Sequence, residues 1–138
     1  MTIDLLPTIA KLIGAKLPEK KIDGMDIWPL FTDDQAKSPQ EAYYLYYGNQ
    51  LQAVRQGKWK LHFPHGYRTM AGKPGGSGGI PTNYTQAKIG LSLFDLDSDI
   101  GETRDLKDKF PEITNQLKSL GEKFHKDLQK TKRAVGKI

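Results

Sequence analysis

Two imidazoles stand close together where an alternating segment gives way to a glycine-rich one: His62 and His65, followed by Tyr67 and Arg68. An imidazole titrates at about 6.5 when unperturbed, so its donor capacity there responds to neighbouring charge. Arg68 can grip an oxyanion through two parallel N–H bonds, and Tyr67 can stack on a ring or donate its hydroxyl. His65 and Arg68, with His62 and Tyr67 in support, are therefore the candidate ligand contacts. The plainer reading of His62 places it on the wet face of a strand. The third histidine, His125, adjoins Phe124 on a lysine-rich segment and reads as a surface residue.

Other groupings lack the register their chemistry requires. Asp95, Asp97, Asp99 and Glu102 are dense enough to suggest calcium but miss the central Gly and closing Glu of an EF-hand loop, which leaves them the role of capping a turn. Gly66 to Lys73 imitates a phosphate loop, yet its glycine spacing is too long and Pro74 stands where Ser or Thr would hold magnesium. Lys58 and Lys60 flank Trp59 as in single-strand nucleic-acid binders. On a strand that alternation merely separates a buried face from a wet one, and no nucleic-acid partner is expected. Asn83-Tyr-Thr85 fits the N-glycosylation acceptor pattern, relevant only in a eukaryotic secretory pathway. With no Cys in the chain, disulfides and thiolate metal sites are excluded.

The elements that must position these residues are legible from periodicity. Ile3, Leu6, Ile9, Ala10 and Ile13 share one face of a helix over 3–13, with Asp4 near its cap, Pro7 in its first turn and Gly14 as its stop. Residues 15–40 read as an irregular connector pinned by Ile27, Trp28, Leu30 and Phe31. Ala42 to Tyr47 has strong strand preference, Gly48-Asn49 suits a two-residue hairpin turn, and Leu51 to Gln56 is the return strand. Gly57 reverses the chain again into a third strand, Lys58 to Phe63, with Trp59, Leu61 and Phe63 on one face and Lys58, Lys60 and His62 on the other. Residues 64–90 read as a long loop, and Leu91 to Leu96 as a fourth strand.

A final helix starts at Pro111, with Glu112 at its positive end and Ile113, Leu117, Leu120, Phe124 and Leu128 as its apolar stripe. Gly121 interrupts that helix, as a close contact with the sheet would require, and residues 134–138 are expected to fray. The fold expected is α+β: a small four-stranded antiparallel sheet packed against a long C-terminal helix.

The chain has 138 residues and a net charge of +5, with nine basic and four acidic residues from Lys107 onward, so the remainder is neutral. The lysines suit a solvated helix face near its C-terminal end, where the helix dipole favours cations. No apolar run approaches the roughly 20 residues of a membrane span, and the opening residues carry no signal-peptide pattern.

Four segments in order, Ile3–Gly14, Ile22–Phe31, Leu51–His62 with its Gly57-Lys-Trp-Lys-x-His62, and Leu93–Leu106 with its Asp-x-x-x-Asp-x-x-Glu, resemble the C-terminal part of sulfatases, enzymes that hydrolyse sulfate esters. Ile100 departs from the family pattern, where Pro is common. The resemblance implies that residues 1–40 are the helix and connector at the edge of a larger α/β catalytic domain, and that residues 41–138 form the C-terminal subdomain. In the complete enzyme it implies calcium, formylglycine and a substrate that is a sulfated carbohydrate or an aryl sulfate. Formylglycine arises in a Cys/Ser-x-Pro-x-Arg motif, and no Cys or Ser of this chain fits it. The expected role is therefore to complete the fold and line the substrate cleft, inactive alone, with the missing N-terminal catalytic domain as partner. A typical bacterial sulfatase would place it in the periplasm or outside the cell. The alternative is a stand-alone module that binds sulfated glycan or assembles with a separate catalytic chain.

Overall fold

The computed structural model describes residues 1–70 and 72–132. The expected fraying of residues 134–138 lies outside them. The chain forms two compact units, Met1–Glu41 and Ala42–Ile138.

In the first unit a 3-10 turn, Thr2–Asp4, leads into helix α1, Leu5–Leu12. Its inward side is partly polar: Asp4, Thr8 and Ala10 are buried, whereas Leu5, Leu6, Ile9, Leu12 and Ile13 are exposed. Polar bonds, rather than the apolar residues expected, tie the connector to α1. The Asp4 carboxylate accepts from Met25 N–H and the Gln40 amide, both at 2.8 Å, and Thr8 Oγ1 accepts from Ile27 N–H at 3.0 Å. Burial opposes the charge on Asp4, but these donors and the Met1 ammonium outweigh it and hold its carboxyl below the usual range. The connector also winds one short helix, α2, Pro29–Thr32, while Trp28, Leu30 and Phe31 remain largely exposed.

The second unit has the four-stranded antiparallel sheet that the periodicity predicts, in the order β1 (Tyr43–Tyr47), β2 (Gln50–Gln56), β3 (Trp59–His62), β6 (Ser92–Asp95). Gly48 turns the first hairpin with φ 57°, a conformation cheap only for glycine. Pairing slips between Leu45 and Tyr46, leaving Gln52 as a bulge whose carbonyl accepts from Phe63 N–H at 2.9 Å. One face carries the row Tyr44, Val54, Leu61 and Leu93 across all four strands.

Helix α3, Pro111–Thr131, covers that row: Leu117 is buried against Val54, Leu61 and Leu93, with Ile113 and Leu120 packed beside it. Phe124 stacks on Tyr44 with ring centroids 3.7 Å apart. Gly121 is required by close approach, since a Cβ there would lie 2.6 Å from Phe63 Cζ. His125 is more than a surface residue, because its Nδ1 meets the Tyr46 hydroxyl at 3.0 Å and the two rings stack.

The expected loop over 64–90 is partly a second sheet. Strands β4 (His65–Thr69) and β5 (Thr85–Ile89) pair antiparallel over five residue pairs, from His65 opposite Ile89 to Thr69 opposite Thr85. Their alternation is carried by only Tyr67, Ala87 and Ile89 beside a glycine-rich stretch, a signal too weak to mark strands.

Candidate functional site

Of the candidate residues, His65, Tyr67 and Arg68 lie on β4, and His62 lies on the side of the four-stranded sheet away from α3. Ala53, His62 and Ser92 form one cross-strand row there, and Arg55, Lys60 and Phe94 form another. That face was expected to be wet, but Ala53, Ser92 and Phe94 are buried and His62 and Lys60 are mostly covered. The cover includes Glu102, which reaches over from the acidic turn.

Within that turn the aspartates act as caps. Asp95 Oδ1 accepts from Asp97 N–H, Asp99 Oδ2 from Thr103 and Arg104 N–H, and Asp105 Oδ1 from Leu93 and Lys107 N–H. Leu106 donates its N–H to Leu93 C=O at 2.8 Å and fixes the turn to β6. Glu102 departs from this capping pattern. It sits at φ 54°, the only non-glycine positive φ among the described residues, and its two carboxylate oxygens hold Lys60 Nζ at 2.5 Å and His62 Nε2 at 2.7 Å. Burial works against its charge, but Lys60 and His62 prevail and hold its carboxyl below the usual value.

An ionised Glu102 can only accept, so His62 Nε2 carries the proton. The other nitrogen, Nδ1, is buried with no hydrogen-bond partner. Burial and the Lys60 ammonium depress the pKa of His62, against the pull of Glu102, so the ring is held neutral. His65 is fixed differently: its Nδ1 donates to Phe63 C=O at 2.6 Å, which leaves Nε2 free. The His62 and His65 rings lie nearly parallel with centroids 5.4 Å apart, and Tyr67 meets His65 edge-on at 6.3 Å.

The structure thus brings His62, His65 and Tyr67 into one row. Arg68 does not join it, because alternation along β4 turns its side chain to the opposite face. A cleft of about 400 Å³ opens beside the hairpin, lined by Tyr47, Gln52, Gly66, Tyr67, Arg68 and Gln86. Sequence reasoning missed Glu102 as a partner of β3. The available signal was the lack of any acidic residue from Ala42 to Phe94, so that any carboxylate partner of Lys60 comes from outside that stretch.

The residues present fit neither calcium nor formylglycine. No three His, Asp or Glu side chains among the described residues converge to hold a metal ion, and the chain has no Cys. No helix among them is long and apolar enough to cross a membrane.

A family model described as the C-terminal region of aryl-sulfatase matches residues 38–138. The chain belongs to the sulfatase family and corresponds to its C-terminal region. It is 35% identical over 117 residues to arylsulfatase A of Bos taurus, covering 81% of this chain and 23% of that protein. It is 34% identical over 114 residues to steryl-sulfatase of Mus musculus, covering 75% of this chain and 18% of that protein. Among solved structures, PsFucS1 sulfatase from Pseudoalteromonas sp. superposes with a TM-score of 0.73 at 18% identity, over 96% of this chain and 26% of that one. The chain therefore spans about a quarter or less of the length of the relatives it matches.

Proposed function

We propose that this chain completes the fold of a sulfatase and lines its substrate cleft, and that it does not hydrolyse sulfate esters alone. The observation that carries the reading is the match to the C-terminal region over residues 38–138, in a chain about a quarter as long as its relatives. The hydrolysis belongs to a catalytic domain that supplies formylglycine as nucleophile and calcium as charge stabiliser. Here the residues bind and orient. His65 Nε2 is left free by its bond to Phe63 C=O, and Tyr67 stands beside it, so both can touch a sulfated carbohydrate or an aryl sulfate at the rim of the cleft. His62 supports His65 from beneath, held by Glu102.

Two experiments test this. The purified chain should release no phenol from an aryl sulfate, because nucleophile and charge stabilisation supply most of the rate in such catalysis; turnover would overturn the claim that it is inactive alone. Fused behind the catalytic domain of a sulfatase that lacks its own C-terminal region, the chain should restore activity. In that hybrid His65→Ala should raise KM about tenfold, the loss of one charge-assisted or buried hydrogen bond. Activity indifferent to His65 and Tyr67 would remove them from the cleft.

A second reading has one observation in its favour. The exposed apolar residues of α1, among them Leu6, Ile9 and Ile13, would suit assembly with a separately encoded catalytic chain. Activity that appears on mixing two chains, without fusion, would establish it.

A further inference from the structure

The β4–β5 hairpin has two chemically distinct faces. Register and alternation place His65, Tyr67 and Thr69 with Thr85, Ala87 and Ile89 on one of them, and Gly66 and Arg68 with Gln86 and Lys88 on the other. Arg68 lies directly opposite Gln86 and diagonal to Lys88, a separation of about 7 Å on an antiparallel pair. Gly66 lies opposite Lys88 and has no side chain to cover it.

The charge of this face is uncompensated. From Ala42 to Phe94 the sequence has no Asp or Glu and six cations: Arg55, Lys58, Lys60, Arg68, Lys73 and Lys88. Three are engaged: Lys58 by Asp95, Lys60 by Glu102, and Arg55 by the Gly57 carbonyl. The side chains of Arg68, Lys73 and Lys88, all on the hairpin or its connection, have no hydrogen bond or ion pair among the described residues, although their backbones are bonded. Like charges held on one rigid face without a counter-charge favour an anion from outside.

We propose that the face formed by Gly66, Arg68, Gln86 and Lys88 is an anion subsite for an acidic group of a glycan, a sulfate or a uronate carboxylate. This group is distinct from the one presented to His65 and Tyr67 on the reverse face. The subsite deepens the reading of this region as a cleft wall and rests on it. Arg68 supplies a bidentate fork for the acid and Lys88 a second cation. The cleft beside them favours a sugar, since the amides of Gln52 and Gln86 suit hydroxyl groups and the exposed ring of Tyr47 suits a sugar face.

The test is calorimetric titration of the 138-residue chain with size-matched oligosaccharides that are sulfated, carboxylated without sulfate, or neutral. A single-stranded oligonucleotide of equal charge serves as the fourth titrant. The expected result is binding of one or both acidic sugars, weakening as salt rises, with no binding of the neutral sugar and weaker binding of the oligonucleotide. The two acidic arms identify the acid. Arg68→Ala with Lys88→Ala should lower affinity at least about tenfold, since each charge-assisted bond is of that order. Lys118→Ala with Lys126→Ala on α3 should leave it unchanged. No binding, equal binding of the neutral sugar, tighter binding of the oligonucleotide, or dependence on the α3 lysines would each overturn the proposal. A hybrid enzyme that is active while the chain binds no acidic sugar removes the subsite alone; binding with an inactive hybrid removes the cleft-wall reading.

Discussion

Replacing Glu102 with Gln removes one charge and keeps both the side-chain length and the left-handed backbone. In the native chain that carboxylate holds Lys60 at 2.5 Å and His62 at 2.7 Å, with the Lys60 and Glu102 side chains 18% and 24% exposed. Removing one partner of a fully buried pair costs about 3–5 kcal/mol, whereas an exposed pair contributes about 0–1 kcal/mol. This pair lies between those limits, and the Gln carbonyl still accepts one bond, so the expected loss is about 2 kcal/mol. Trp59 precedes Lys60 on β3 and packs against Phe110 with ring centroids 5.0 Å apart, so its fluorescence reports on the sheet. In a Trp28→Phe background, urea unfolding of Glu102→Gln should show a lower midpoint with an unchanged slope. Glu102→Gly separates the two contributions, because it relieves about 1 kcal/mol of positive-φ strain while removing both bonds. A Gln variant within about 0.5 kcal/mol of the parent would refute the reasoning, since Lys60 would then be served equally well by water. A Gly variant more stable than the parent would show that strain outweighs the ion pair.

Three further outcomes follow from the same geometry. Gly121→Ala brings a methyl to 2.6 Å from Phe63 and 3.3 Å from Leu51, so overpacking of about 1–3 kcal/mol should exceed the roughly 1 kcal/mol gained in helix preference, read as a fall in melting temperature. Acidification should destabilise the sheet unit in two stages: His62, depressed below its ordinary value, opposes folding once the pH falls below about 6.5, where the unfolded ring protonates first, and Glu102, also depressed, loses its contribution only at lower pH. His62→Gln should flatten the first stage in urea midpoints measured between pH 7 and 5, and an unaltered slope there would place the titration elsewhere. The exposed apolar side of α1 should drive self-association, and Leu6→Ser with Ile9→Ser should lower the weight-average mass in sedimentation; a monomeric parent would contradict this.

The third strand and α3 were legible because their apolar side chains recur on one face, although the sheet is covered on both. Trp59 and Leu61 alternate with Lys60 and His62, and Ile113, Leu117, Leu120 and Phe124 recur at helical spacing, so period alone assigns both type and facing side. Gly48 and Gly57 marked the turns for the same local reason, a positive φ. Periodicity could not show what covers the second face of β3. Lys60 and His62 read as solvated because charge usually is, and their cover, Glu102, comes from a turn about forty residues away whose aspartates also cap it locally, Asp95 pairing with Lys58 besides.

The hairpin was illegible for a different reason, and the consequence falls on function. His-Gly-Tyr-Arg-Thr and Thr-Gln-Ala-Lys-Ile pair through backbone bonds, and their alternation rests on only Tyr67, Ala87 and Ile89 within a glycine-rich stretch, too short a signal to announce strand or register. Read as a loop, the segment let His65, Tyr67 and Arg68 be grouped as one cluster by sequence proximity. A strand forbids that grouping, because neighbours in sequence point to opposite faces while residues on the partner strand become neighbours in space. Arg68 therefore belongs with Gln86 and Lys88, and His65 with Tyr67 and, through the stack, with His62 and Glu102. On the proposed reading the two groups face different parts of the ligand, so substitutions at His65 and at Arg68 should be separable in their effects.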